Sequence, residues 1–464
     1  MRRKLFLGLI LALCVFGVLC WGYLKFERLQ KYALTAIMAP NLLDSLLGMT
    51  EPSTYLILSQ NNAELRPTGG FVSSYAEVTV KRGRVAGFKY HEFPKAPEPE
   101  GEIEIPSWWA RLERPVWVYW DTNWVADFPT AARQAKWFYE AGGNVEKPLD
   151  GVIAIDPTAA QMLLKALGPV YLPEYDVEID SENLLPLIEN YRAYLGEPLV
   201  EEHDEPPHKE LLGEVARALL DKLSKADLRQ MLAVARTAGQ VLGQKHILVF
   251  FDDPGLERLA AEWGWDGAIN PTKDDFLFVV DANMGRAKVD TQVEKTIRYE
   301  VIIGSDHSIT SKATLDYYNG SSTAEEGREH GWRGGTYADY VRLYVPEGSL
   351  LAETKGNDYP TQITVEGGKT AFGNLFVVPI GERAQLSYTY VNATRIRQAG
   401  NRYVYRLTAQ KQAGTLANEL LITVTLPEGA RLLAAVPKPS SVSNNLVEYR
   451  SALLTDQIFE ITFR

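Results

Sequence analysis

The chain has 464 residues, of which 46% are apolar and 23% charged, with a net charge of −11. Such a length exceeds one compact core and such a composition supports folded domains, which excludes a small disulfide scaffold, a collagen-like repeat and a broadly disordered chain. The acidic balance argues against nucleic acid as a partner.

The first element is apolar. Leu5 to Leu24 carries no charge over twenty residues, and a helix of that length spans about 30 Å, the thickness of a bilayer's hydrocarbon core. Arg2, Arg3 and Lys4 precede the run, while Lys25, Glu27, Arg28 and Lys31 follow it. The positive-inside rule then keeps the N-terminus cytoplasmic and places the bulk of the chain outside, as a single-pass membrane protein. The run is longer than a signal-peptide core and no A-x-A site follows, so an uncleaved anchor is expected over residues 1–27. Both cysteines, Cys14 and Cys20, fall inside it, which leaves the exported part to rely on packing. Residues 28–50 read as a helical linker.

From Tyr55 to about Asp281, short β-rich runs alternate with helical patterns, the signature of a three-layer α/β domain, with bounds at 51–285. Strands are expected at 55–59, 71–80, 84–91, 116–120, 151–155, 246–251 and 276–280, with a hairpin turn at Lys81-Arg82-Gly83. Helices are expected at 129–141, 158–167, 181–195, 209–223 and 225–242, so that 157–242 reads as mostly helical. From 286 to 464 alternating strands and Gly, Pro and Asn turns indicate an all-β sandwich region. Within it Val345-Pro346-Glu347-Gly348 resembles Leu426-Pro427-Glu428-Gly429, which fits either two small sandwiches or two equivalent edges of one.

The densest polar cluster, Gln60 to Gly70, lies between two strands, where loops of α/β sheets bind ligands. Arg66 has the forked donor set for a phosphate or carboxylate, Glu64 can orient it or accept a proton, and Asn61, Asn62 and Thr68 can line a substrate. Gly69 and Gly70 permit close backbone approach. Equally, Glu64 and Arg66 can satisfy the backbone of a buried turn. A second cluster follows at Trp117 to Thr130: Asp121 and Asn123 are candidates for the site, Asp127 is an expected helix cap, and six of the ten tryptophans lie between Trp108 and Trp137. Glu201 to Glu205 reads as a solvated loop, with Lys209 beyond it as a cation for phosphate. Asp252-Asp253-Pro254 and Asp281-Ala282-Asn283 suit either caps or a hard cation. No Walker loop, G-x-S-x-G, G-x-G-x-x-G or C-x-x-C pattern occurs.

The stretch Asn61-Asn62-Ala63-Glu64-Leu65-Arg66-Pro67-Thr68-Gly69-Gly70-Phe71 resembles the hallmark of the bacterial domain of unknown function 4012 family. Asp150 to Pro157, Leu167 to Val170, Asp281 to Gly285 and Lys411 to Gly414 extend the resemblance. More distantly, the order of elements is similar to the LytR-CpsA-Psr family of membrane-anchored ligases, which move glycopolymers from polyprenyl pyrophosphate onto the cell wall. That likeness implies a LytR-CpsA-Psr-like α/β fold and a phosphotransferase in the cell envelope. Arg66 and Lys209 would then hold a pyrophosphate, and Glu64 or Asp121 would bind Mg²⁺ or take a proton. The ligase family's Arg-x-Asp motif does not occur here. The alternative is a non-catalytic envelope protein with a degenerate ligase-like domain, binding wall polymer or a protein partner through sandwich edges.

Overall fold

The computed structural model describes residues 40–91, 119–145, 147–189, 208–285, 287–321 and 335–464. It divides into two units, one comprising the chain up to Asn62 with Thr68–Ala268, the other Ala63–Pro67 with Ile269–Arg464. The expected anchor, Leu5 to Leu24, lies outside the described residues. Among those described, no helix is long and apolar enough to cross a membrane.

The first unit is built on β1 (Ser53–Asn61), β2 (Phe71–Lys81) and β3 (Arg84–His91), followed by a 3₁₀ turn at Tyr119–Trp124 and, later, β4 (Gly151–Ile155) and β7 (Ile247–Phe251). A small hairpin, β5 (Val170–Leu172) and β6 (Val177–Ile179), stands apart. The main sheet runs β3-β2-β1-β4-β7, with β1 and β4 its parallel pair. Its helices are α1 (Pro40–Leu47), α2 (Phe128–Ala141), α3 (Pro157–Leu167), α4 (Leu184–Glu189), α5 (His208–Ser224), α6 (Leu228–Gly243) and α7 (Pro254–Trp263).

Strand alternation explains the layering, because successive side chains point to opposite faces. Tyr55, Ala76, Val78, Val249 and Phe251 share one face, packed with Leu46 of α1, Leu242 of α6 and Leu256 and Ala260 of α7. Leu58 and Tyr75 share the other, where Tyr75 meets Tyr139 of α2 ring to ring at 5.0 Å. On that face too, Arg133 of α2 lies over the Phe250 ring. Helices therefore cover both faces, as a mixed α/β sheet requires. Arg82 and Gly83 take positive φ at the β2–β3 turn, as a tight hairpin demands.

The second unit contains β8 (Asp275–Val280), β9 (Val293–Ile303), β10 (Ile309–Asn319), β11 (Tyr337–Pro346), β12 (Leu350–Lys355), β13 (Gln362–Glu366), β14 (Lys369–Val378) and β15 (Arg383–Asn392). It continues with β16 (Arg397–Ala399), β17 (Arg402–Gln410), β18 (Asn418–Thr425), β19 (Leu432–Val436), β20 (Ser441–Ser443), β21 (Leu446–Leu453) and β22 (Gln457–Phe463). A seven-stranded sheet, β12-β15-β10-β9-β18-β21-β20, and an eight-stranded sheet, β13-β14-β11-β8-β17-β22-β19 with β16 against β17, share one apolar core. One elaborated sandwich results, which resolves the choice left open by the sequence.

The path repeats itself. In each half a strand of the larger sheet leads into one of the smaller: β8 into β9, then β17 into β18, and the halves meet through the parallel pairs β8–β17 and β9–β18. Antiparallel neighbours correspond likewise, β10 and β11 in the first half with β21 and β22 in the second. The two Pro-Glu-Gly turns end β11 and follow β18, which lie in different sheets and do not correspond in this repeat. Their likeness is one of turn chemistry alone.

Three expectations need correction. The strand at 276–280 pairs with β11 and β17 and so belongs to the sandwich, because the chain has already left the first sheet at Ala268. Residues 119–120 lie in a 3₁₀ turn, where the aromatic run packs against β2 and α2 instead of joining a ladder. The span 157–242 is interrupted by β5 and β6, and α7, opened by Pro254 and stopped by Gly264, had no expected counterpart.

Candidate functional site

Loop 60–70 lies at the carboxyl end of β1, beside the carboxyl end of parallel β4, but its residues divide between the two units. On the first unit's side, Gln60 Nε2 donates to Thr68 Oγ1 at 3.0 Å, and Asn62 Nδ2 to Thr158 Oγ1 at 2.9 Å. Asn123 Nδ2 donates to the Gly70 carbonyl at 2.6 Å. Gly69 and Gly70 have φ of 129° and 156°. A Cβ on Gly70 would sit 2.4 Å from the Asn61 carbonyl, so the close approach is of backbone to backbone, within the loop itself. Asn61 is partly exposed, whereas Asn62, Thr68, Asp121 and Asn123 are buried.

Sequence reasoning missed the buried Asp–His hydrogen bond beside this loop. Asp156, just after β4, caps α3 through the Ala159 N–H at 2.9 Å and hydrogen-bonds His246 Nδ1 at 2.7 Å. Both side chains are nearly inaccessible. The signal was Asp156-Pro157, an N-cap followed by proline; the histidine 90 positions on carried none.

On the second unit's side, Arg66 is already engaged. Its Nη2 donates to Glu64 Oε1 at 3.0 Å, and its Nη1 to the carbonyls of Leu65, at 3.1 Å, and Asn283. The side chains of Arg66 and Glu64 are 11% and 12% exposed. Leu65 N–H donates to Asp290 Oδ2 at 2.9 Å, and Asn283 N–H to the Leu65 carbonyl at 3.0 Å. Gln412 then bridges from the other half of the repeat, donating from Nε2 to the carbonyls of Asp281, at 2.7 Å, and Arg66, at 3.3 Å. The Asp281-Ala282-Asn283 and Lys411-Gln412-Ala413-Gly414 stretches thus do the same work, fastening Ala63–Pro67.

Beneath them are three carboxylates, Asp281 and Asp339 buried and Asp290 partly exposed. Asp281 pairs with Lys295, both 4% exposed, and accepts from Tyr317 Oη at 2.8 Å. Burial pushes Asp290 up to about 7, against hydrogen bonds that favour its ionised form. Burial, then the charges of Asp281 and Asp290, hold Asp339 well above the carboxylate range. Neither Asp339 oxygen has a hydrogen-bond partner among the described residues.

The expected catalytic trio is therefore not one constellation within either unit: Glu64 and Arg66 belong to the second and Asp121 to the first. Arg66 does not stand open as a clamp: Nη1 and Nη2 already donate to Glu64 and to the carbonyls of Leu65 and Asn283. Glu64 Oε1 accepts from Arg66, and no group of three or more His, Cys, Asp or Glu side chains that could hold a metal ion occurs among the described residues. Lys209 lies in α5, but its side chain and the whole of 201–207 lie outside what is described. Asp253 is the N-cap of α7 and Asp252 pairs with Lys136, so that stretch is a helix start.

No curated protein matches the chain. Among solved structures, similar chains include a protein of Legionella pneumophila described as a nutrient binding protein (7% identity, TM-score 0.25, 41% of this chain and 70% of that one). Others are an M1 zinc metallopeptidase of Deinococcus radiodurans (10%, 0.23, 37% and 42%) and aminopeptidase A of Legionella pneumophila (8%, 0.19, 39% and 22%). These scores are too low to establish a shared fold. Residues 50–194 match the family model described as Protein of unknown function (DUF4012), a span that holds the Asn61–Phe71, Asp150–Pro157 and Leu167–Val170 stretches, and over it the resemblance to that family holds.

Proposed function

We propose that the chain is a membrane-anchored, extracytoplasmic protein of the cell envelope that acts as a non-catalytic binding scaffold. The observation that carries this reading is the commitment of Arg66, whose guanidinium would be the pyrophosphate clamp of a LytR-CpsA-Psr-like transferase, to Glu64 and two backbone carbonyls. A cation matched inside its own fold has little left for a ligand. The anchor reading rests on the Leu5 to Leu24 run. Cell-wall polymer or a protein partner would meet the sandwich edges, where Ile363 and Val365 of edge strand β13 are exposed.

The test is a titration of full-length protein in nanodiscs with polyprenyl pyrophosphate, beside Arg66→Ala. The scaffold reading expects no saturable binding by the wild type and a less stable second unit in the variant. Saturable binding that Arg66→Ala abolishes with melting unchanged would restore the transferase.

A further inference from the structure

The two sandwich sheets end in four strands, β12, β20, β13 and β19, and an edge strand offers unpaired backbone groups to another chain. Three of the four are guarded. β12 is bulged between Leu351 and Glu353 and carries Glu353 and Lys355, β20 has three residues, and β19 is bulged between Leu432 and Ala434 and followed by Pro437. β13 has none of these devices: its register with β14 runs unbroken from Gln362 to Glu366, with no proline or lysine.

Its side chains divide by face. Ile363 lies opposite Phe372, whose ring meets Tyr388 and Tyr390 of the other sheet, and Val365 lies opposite Thr370. Ile363 and Val365 thus continue the core face one strand outward, where they stay 57% and 64% exposed. On the other face, Thr364 is exposed and donates to Glu366 Oε1 at 3.1 Å. Glu366 Oε2 accepts from Arg342 Nη1 at 3.1 Å and from Tyr344 Oη at 2.7 Å, so the strand's single charge is held in place. Gln362 Oε1 accepts from Tyr340 Oη at 3.3 Å, while its amide nitrogen has no partner among the described residues.

The sequence Gln362-Ile363-Thr364-Val365-Glu366 is complementary to its own reverse. Antiparallel pairing of two copies about Thr364 sets Ile363 against the partner's Val365, Thr364 against the partner's Thr364, and the Gln362 amide against the oriented carboxylate of the partner's Glu366. Just beyond the strand, Thr361 and Pro360 meet the partner's Gly367 and Gly368, a turn with no side chains to obstruct them. Centring the pair on Glu366 would oppose two carboxylates, and centring it on Gln362 would set Glu366 against Asp358.

We propose that β13 is a homodimer edge: two copies of this chain join their eight-stranded sheets by antiparallel β13–β13 pairing about a two-fold axis at Thr364. Five residues a side bury less than the roughly 1,600 Å² of a standard interface, so the contact is weak between free chains and strengthened when both are held on one membrane. The inference names the partner that the scaffold reading leaves open at this edge. It rests on that use of the edge and on the anchor, and not on the role of Arg66.

The experiment uses full-length protein in liposomes, with Cys14 and Cys20 replaced by serine and one new cysteine per variant. Opposite residues of an antiparallel pair stand about 4.5–5.5 Å apart between Cα atoms, within reach of a disulfide. On mild oxidation Thr364→Cys is expected to form a disulfide dimer at least about tenfold faster than Ser441→Cys on edge strand β20. A mixture of Ile363→Cys with Val365→Cys should cross-link faster than Ile363→Cys alone. Adding Val365→Lys to Thr364→Cys should lower its rate to that of Ser441→Cys, with the melting temperature unchanged. A Thr364→Cys rate no higher than that of Ser441→Cys, or Ile363→Cys joining itself as fast as it joins Val365→Cys, would overturn the inference. So would wall polymer that shields Thr364→Cys from maleimide while no disulfide forms, a result that gives the edge to the polymer and leaves the scaffold reading standing. Saturable pyrophosphate binding, by contrast, removes the scaffold reading without changing the cross-linking rates.

Discussion

In the first unit acidic side chains sit at helix starts: Asp127, Asp156, Asp227 and Asp253 each accept backbone N–H groups that the helix leaves over. In the sandwich Asp275, Asp281 and Asp339 are buried instead. Asp275 lies in the core, where Tyr405, Tyr299 and Asn392 satisfy it at 2.6 to 3.0 Å, and Lys295 and Asp339 occupy inward positions of β9 and β11. The contrast teaches where each unit is vulnerable. Losing an exposed cap such as Asp227 leaves a solvated helix end, whereas losing one member of an interior pair strands a charge in low dielectric.

Lys295→Met tests that contrast most severely, since it leaves Asp281 buried without its cation. A loss of roughly 3–5 kcal/mol is expected in urea unfolding, and a loss under 1 kcal/mol would mean that the interior is wetter than described. Gly70→Ala should cost about 2–4 kcal/mol, because the new Cβ meets backbone at 2.4 Å and cannot be relieved by a rotamer. Its expected sign is the same in every buffer, which separates it from the electrostatic variants.

Next comes pH. Asp290 titrates higher in the folded chain, at about 7, than a free carboxyl, so the folded state holds the extra proton. The sandwich's stability is then greatest near pH 4 and declines as pH rises through about 7. Calorimetry should show its melting temperature lower by about 5 °C at pH 8 than at pH 5, with the decline reduced in Asp290→Asn. Asp156→Ala, which removes the α3 cap and the His246 partner, should cost about 1–2 kcal/mol in the first unit. Least of all, Lys225→Ala, which breaks an exposed i,i+4 pair with Asp221, should change stability by under about 0.5 kcal/mol.

Local patterns made much of the fold legible. β2 and β3 and their turn, the α2 start at Asp127, and β4 followed by Asp156-Pro157 all follow from residues adjacent in sequence. The limits were long-range. Nothing near Arg66 shows that it meets Asn283, 217 positions away, or that Gln412 bridges Asp281 to the same loop. Sequence did carry one unread signal: Val293, Lys295, Ile297, Tyr299 and Val301 alternate inward, which puts a lysine in the core and calls for an acidic partner. Asp339 breaks its own inward series in the same way. Tryptophan-rich 108–118 and acidic 201–207 lie outside the described residues.

The most direct measurement of the central claim is nitrogen NMR of the Arg66 guanidinium in isotope-labelled full-length protein, with and without inorganic pyrophosphate near neutral pH. An engaged structural arginine gives slowly exchanging resonances that pyrophosphate leaves in place. Fast exchange that becomes slow, with resonances that shift to saturation as pyrophosphate is added, would contradict it.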